Sequence, residues 1–95
     1  MSLTDLAQRS PEIRRLAATH GIARLRVFGS RARREGTGTS DLDLLVDLAP
    51  DRDLLDLAAF KLDLEELLGC RVDVVTEAGI SPYLRDRILA EARPL

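Results

Sequence analysis

One cysteine, one histidine, one lysine and no tryptophan occur among the chain's 95 residues. The lone Cys70 excludes an internal disulfide and fits a reducing compartment. With His20 as the sole histidine, a cysteine–histidine zinc centre is nearly excluded as well. No apolar run is long enough to span a bilayer. The N-terminus also lacks the basic-then-apolar order of a secretion signal. These absences make a cytoplasmic protein without membrane association the expectation. The net charge of −2 argues against a general nucleic-acid coat, so no direct DNA binding is expected. All but one of the 14 basic residues are arginine, a bias that by itself carries no function. Internal repeats and low-complexity segments are missing too. A chain this short reads as a single domain, residues 1–95, with a limited core.

What is present concentrates in Gly29–Asp43. A short apolar run, Leu25–Phe28, ends in Gly29-Ser30. Asp41 and Asp43, spaced i, i+2, stand at the head of a second apolar run, Leu42–Leu48. Glycine lets backbone approach a ligand closely, and serine is a good helix N-cap. Free amides at a helix start favour an anion, phosphate above all. On a strand, Asp41 and Asp43 share one face. Two such carboxylates repel unless a cation sits between them. A phosphate cradle beside paired carboxylates suggests a metal–nucleotide site.

Around this stretch the elements follow from local signals. Leu3, Leu6 and Ala7 hint at a first helix, and Ser10-Pro11 supplies a second N-cap and N1 pair. The two pieces can also form one helix bent at Pro11. His20 falls on its apolar side, as a residue at the core's edge. Residues 24–28 read as a strand, Arg31–Glu35 as a helical turn stopped by Gly36, and 37–40 as a loop. In the next strand Leu42, Leu44, Val46 and Leu48 take one face; Asp41, Asp43 and Asp47 take the other. Asp53 caps a long helix that Gly69 stops. Its apolar residues form two stripes: Leu57, Phe60, Leu64 and Leu67, and Leu54, Ala58 and Leu62. The first can cover a sheet. The second needs a neighbouring helix, a partner chain or both; the sequence leaves a homo-oligomer open as well. Arg71–Val75 gives a third strand with Asp73 opposite in face to Val72 and Val74. Ser81-Pro82 opens a last helix whose buried line would be Ile80, Leu84 and Ile88, before a non-helical tail, 93–95. The fold class is α+β: a three-stranded mixed sheet with helices packed on it. The short 28-to-41 connection makes the first two strands antiparallel, and the long helix sets the third parallel to the second.

That arrangement brings Asp73 beside Asp43. Three converging carboxylates, Asp41, Asp43 and Asp73, raise one another's pKa when nothing neutralises them. Magnesium relieves the repulsion and bridges to phosphate oxygens. Two such ions can stabilise the attacking and leaving oxygens of a displacement at phosphorus. Asp41, Asp43 and Asp73 are therefore the candidate catalytic and metal-binding residues. Gly29 and Ser30 are the candidate nucleotide-binding pair. Arg31 and Arg33 join them, since cations at a helix start are disfavoured unless an anion binds there.

Phe28-Gly29-Ser30-Arg31-Ala32-Arg33, Ser40-Asp41-Leu42-Asp43-Leu44 and Val72-Asp73-Val74-Val75 together resemble the minimal nucleotidyltransferases of the DNA polymerase beta-like superfamily. Their motif is Gly-Ser, ten residues, then Asp-x-Asp, with a third acidic residue on a later strand. The resemblance covers nearly the whole chain. It implies that Gly29 and Ser30 contact nucleotide phosphates and that Asp41, Asp43 and Asp73 bind the metals, two magnesium ions. It implies ATP as substrate and a HEPN-domain toxin as partner, with this chain as antitoxin transferring AMP to a tyrosine of that toxin. The alternative is an antitoxin that binds nucleotide but neutralises its partner by contact alone. Arg34 stands where the family usually has glycine, with Gly36 as the substitute stop. No further domain to grip an acceptor fits in this length, so the resemblance makes a partner protein the acceptor.

Overall fold

The computed structural model describes residues 3–29 and 42–95, with side chains from residue 6 onward. Chain order is helix α1 (Leu3–Thr19), strands β1 (Ile22–Phe28) and β2 (Leu42–Leu48), helix α2 (Leu54–Leu68), strand β3 (Val72–Val75), a 3-10 turn (Glu77–Gly79), helix α3 (Pro82–Glu91) and strand β4 (Arg93–Pro94). The described strands form one mixed sheet in the order β3-β2-β1-β4. β1 pairs antiparallel with β2, and β2 pairs parallel with β3, as the connection lengths predict. The sheet has four strands rather than three. Arg93 and Pro94 pair with Val27 and Arg26 at the open side of β1. Two residues carry no strand pattern of their own, so only the partner defines them.

α1 is one continuous helix with Pro11 inside it. Ser10 therefore caps nothing. It is buried, and its Oγ accepts a hydrogen bond from Arg14 Nε at 3.0 Å. The buried positions Leu6, Ile13 and Ala17 explain the continuity: they bind both halves of the helix to the same core. α2 begins with a reciprocal cap. The Asp53 carboxylate accepts from the N–H of Leu55 at 2.9 Å, and the Asp53 N–H donates to Asp56 at 3.1 Å. It ends at Gly69, whose left-handed backbone (φ 67°) lets its N–H donate to the Glu65 carbonyl at 2.8 Å.

α1 and α2 cover one face of the sheet. Phe60, Leu64 and Leu68 of α2 meet Val27, Leu42, Leu44, Val46 and Val72 there. Burying Phe60 or Leu64 contributes about 1.5–3 kcal/mol each. The second stripe of α2 stays uncovered, with Leu54 71% and Leu62 65% exposed. α1 touches α2, yet it does not reach that stripe. The two helices instead flank a groove of about 580 Å³ floored by Leu16 and Leu67.

The other face is only partly dressed. Leu45 is fully buried on it, and the 3-10 turn packs against β2. α2 links β2 to β3 in one direction across the sheet, and α3 links β3 to β4 in the other. Right-handed crossovers running opposite ways put their helices on opposite faces. Contact between the 3-10 turn and Arg26 on this second face agrees with that. Ser81 caps α3 as expected, accepting from the Tyr83 N–H at 3.4 Å. Its proposed buried line fails, however. No α3 residue is buried, and Leu84 is 50% exposed. The helix lies on a face whose strands present mostly charged side chains, which gives an apolar line little to pack against.

Candidate active site

A backbone bond to β2 and a side-chain bond from α2 fix the start of β3. The Leu42 N–H donates to the Arg71 carbonyl at 2.9 Å, and the Val72 N–H donates to the Glu65 side chain at 3.0 Å. One residue further along, Asp43 and Asp73 stand directly opposite each other across the parallel ladder. On its other side Asp43 is paired with Phe28. Asp43 is half-buried and Asp73 exposed. The predicted neighbourhood of these two carboxylates is thus present in the register.

Gly29 follows Phe28 with a left-handed backbone, φ 76°. A side chain there would be strained twice. L-residues avoid this region, and a Cβ would run into the carboxylate of Asp43. Glycine at this turn therefore makes room for the carboxylate itself. The close approach is between backbone and acid.

Ser30, Arg31, Arg33 and Asp41 lie outside the described residues, as do Arg34 and the helical turn expected over 31–35. Among the described residues no group of three acidic, histidine or cysteine side chains could hold a metal ion. The proposed trio needs Asp41. His20 stays a core-edge group: its Nε2 lies 2.7 Å from Asp63 and its ring is tilted over Phe60 at 6.2 Å.

Beneath the acidic pair the same face holds residues that sequence reasoning missed. Arg26 is opposite Leu45, and Leu45 is opposite Val75. The Arg26 side chain is only 9% exposed, and its Nη2 donates to Glu77 Oε1 at 3.0 Å. Arg85 of α3 donates to the other Glu77 oxygen at 3.3 Å and to the Glu77 carbonyl at 3.2 Å. The hydrogen bond from Arg26 holds the Glu77 carboxyl below its ordinary pKa; partial desolvation opposes this, and the charges of Arg85, Arg26 and Arg24 assist it. An arginine inside an apolar strand was the one available signal. Its partner, 51 residues away, was not legible.

The mixed sheet thus carries level acids on neighbouring parallel strands, beside a glycine turn. The nucleotidyltransferase domain family matches residues 10–95. The chain is 52% identical over 73 residues to "Putative protein adenylyltransferase MJ0435" of Methanocaldococcus jannaschii, covering 77% of this chain and 78% of that protein. It is 37% identical over 71 residues to protein adenylyltransferase MntA of Thermococcus cleftensis, covering 75% and 72%. A solved structure described as "Structure of putative minimal nucleotidyltransferase" superposes with a TM-score of 0.87 at 53% identity, over 100% of this chain and 97% of that one. A toxin–antitoxin complex with AMP-PNP shares the fold at TM-score 0.74 and 21% identity, over 88% and 69%. The chain belongs to the nucleotidyltransferase domain family, in its minimal form. It is a nucleotidyltransferase enzyme.

Proposed function

We propose that the protein transfers AMP from ATP to a tyrosine hydroxyl of a HEPN-domain toxin, as that toxin's antitoxin, in a reaction that depends on divalent metal. The observation that carries this reading is the level placement of Asp43 and Asp73 against Gly29. Relatives named as protein adenylyltransferases support a protein acceptor. Fold neighbours described as toxin–antitoxin complexes, one with AMP-PNP, support the partner and the nucleotide.

The residues fit a hard cation. Two oxygen-donor side chains stand side by side, and with glycine at position 29 no Cβ there crowds the Asp43 carboxylate. Asp43 and Asp73 would hold the metal, with Asp41 as third ligand. When bound, magnesium neutralises triphosphate charge and supports the oxygens entering and leaving at phosphorus. Asp73, the exposed member, accepts the proton of the incoming hydroxyl. The phenolic oxygen bonds to the α-phosphorus as the bond to the β-phosphate breaks, and pyrophosphate departs. Gly29, Ser30, Arg31 and Arg33 would hold the phosphates.

The exposed stripe Leu54, Ala58 and Leu62 is the surface we assign to the toxin. The test is incubation with the protein encoded beside this gene and each nucleoside triphosphate in turn, reading mass on both chains. One adenylyl group added to a tyrosine of that protein, with ATP only, is expected. Tight binding without added mass would overturn transfer and leave the contact-only antitoxin.

A further inference from the structure

Acid is concentrated on one helix. From Asp53 to Leu68 the chain carries five acidic residues and one lysine, a charge of −4, while the whole chain stands at −2; the remainder is therefore at +2. On the same helix Leu55, 78% exposed, widens the stripe formed by Leu54, Ala58 and Leu62. Helical spacing puts Glu66 one turn beyond Leu62, and Glu66 and Asp63 both line the groove against α1. Stripe and groove are thus one continuous surface. Leu16 and Leu67 form the groove's floor, and Glu12, Asp63 and Glu66 stand around it against a single base, Arg15. His20 already engages Asp63 at 2.7 Å, and Arg9 engages Glu12 at 3.3 Å. Glu66, exposed, is the acid at the junction of stripe and groove. From Leu54 to Glu66 this surface runs about 18 Å along α2, roughly three helical turns. An apolar ridge beside a furrow between two helices is the shape that accepts a third helix.

We propose that the α2 stripe and the α1–α2 groove together seat a basic amphipathic helix of the partner protein, its apolar line on the leucines and its lysines or arginines beside Glu66 and Glu12. This deepens the toxin reading above and rests on it. Charge decides between occupants. A two-fold dimer would set the same patch against itself, acidic helix on acidic helix, and like charges so placed repel. A partner helix with cations flanking its apolar line covers the same leucines and meets opposite charge instead. Such complementarity acts mainly on the rate of encounter and on the choice of partner.

The test mixes the full chain with the protein encoded beside its gene and measures the association rate by stopped flow. Two ionic strengths are compared, about 0.01 M and about 1 M, where charges are felt over about 30 Å and about 3 Å. Wild type should associate about ten-fold faster, or more, at the lower one. Glu66→Lys should lose most of that acceleration, and Glu66→Gln should fall between the two. Asp86→Lys makes the same charge change on the exposed surface of α3. It should stay within about two-fold of wild type if the attraction is local. Association indifferent to salt overturns the proposal, as does a Glu66→Lys variant as fast as wild type or faster. Equal slowing in Asp86→Lys overturns it too, because the attraction would then belong to net charge. A dimer of the isolated chain that Leu62→Glu dissociates would give the stripe to a second copy and overturn it likewise. If the neighbouring protein binds wild type at neither ionic strength, the toxin reading itself fails and this inference falls with it. The other failures leave that reading standing.

Discussion

Gly29 and Asp73 can each be changed with a definite expectation. Gly29→Ala puts a side chain into left-handed backbone, at about 1–3 kcal/mol, and pushes a methyl group into the Asp43 carboxylate. It should melt lower and transfer no nucleotide; a thermal melt and the mass assay check both. Asp73→Asn removes one of two level carboxylates. It should abolish transfer yet melt no lower than wild type, since it relieves repulsion and leaves no buried group without a partner. A correctly folded Asp73→Asn that modifies its acceptor at the wild-type rate would sink the assignment. At this scale the sequence announced the acids, through their spacing and their place at strand starts. It did not announce Arg26 or Glu77. A salt bridge between distant residues leaves no periodic mark, and arginine in a strand ordinarily reads as solvent-facing. Ser10, a good cap by type, lies inside a helix, the second of the two arrangements the sequence allowed. The upstream turn is held by Leu6 burial, which outweighs a local capping preference.

Among the elements, α2 was the most legible, because its two ends carry explicit chemistry and its first stripe is apolar at helical spacing. Asp53→Ala removes the carboxylate that accepts from the N–H groups of Leu55 and Asp56 and should cost about 1 kcal/mol, lowering the midpoint by about 4–8 °C. A melt at neutral pH reads this directly. The second stripe is a separate matter. Leu62 is 65% exposed, so Leu62→Glu should leave the melt of the isolated chain nearly unchanged. Partner binding, measured by calorimetry, should weaken by at least ten-fold if an apolar anchor becomes a buried charge, while ATP binding stays the same. Equal partner affinity would remove the docking surface from α2. The least legible elements were α3 and β4. Their positions follow from crossover handedness and from pairing with β1, and neither can be read from a local apolar pattern.

For the whole molecule, pH and ligand act through different carboxylates. The folded pKa of Glu77 is depressed by the hydrogen bond from Arg26, and that of Asp56 chiefly by the N–H of Asp53. A group with a depressed folded pKa stabilises fully above its unfolded value. That contribution disappears as pH falls through the folded value. Stability should therefore drop on acidification through and below the usual carboxylate range. The difference in melting temperature between wild type and Glu77→Gln should shrink along the same descent. Mg-ATP should act oppositely near neutrality. At about 100 times the dissociation constant, a ligand of the folded state alone adds roughly 2.7 kcal/mol, a shift that Asp73→Asn should lose. Asp73 has one more effect, through its exposure at the sheet surface. As the proposed base, Asp73 is open to bulk water as well as to a docked phenol, and water, though the weaker acid, is always present. Without its acceptor the enzyme should slowly release free AMP and pyrophosphate from ATP. Adding the acceptor should suppress that leak, because a docked protein displaces the rival nucleophile along with the solvent that carries it.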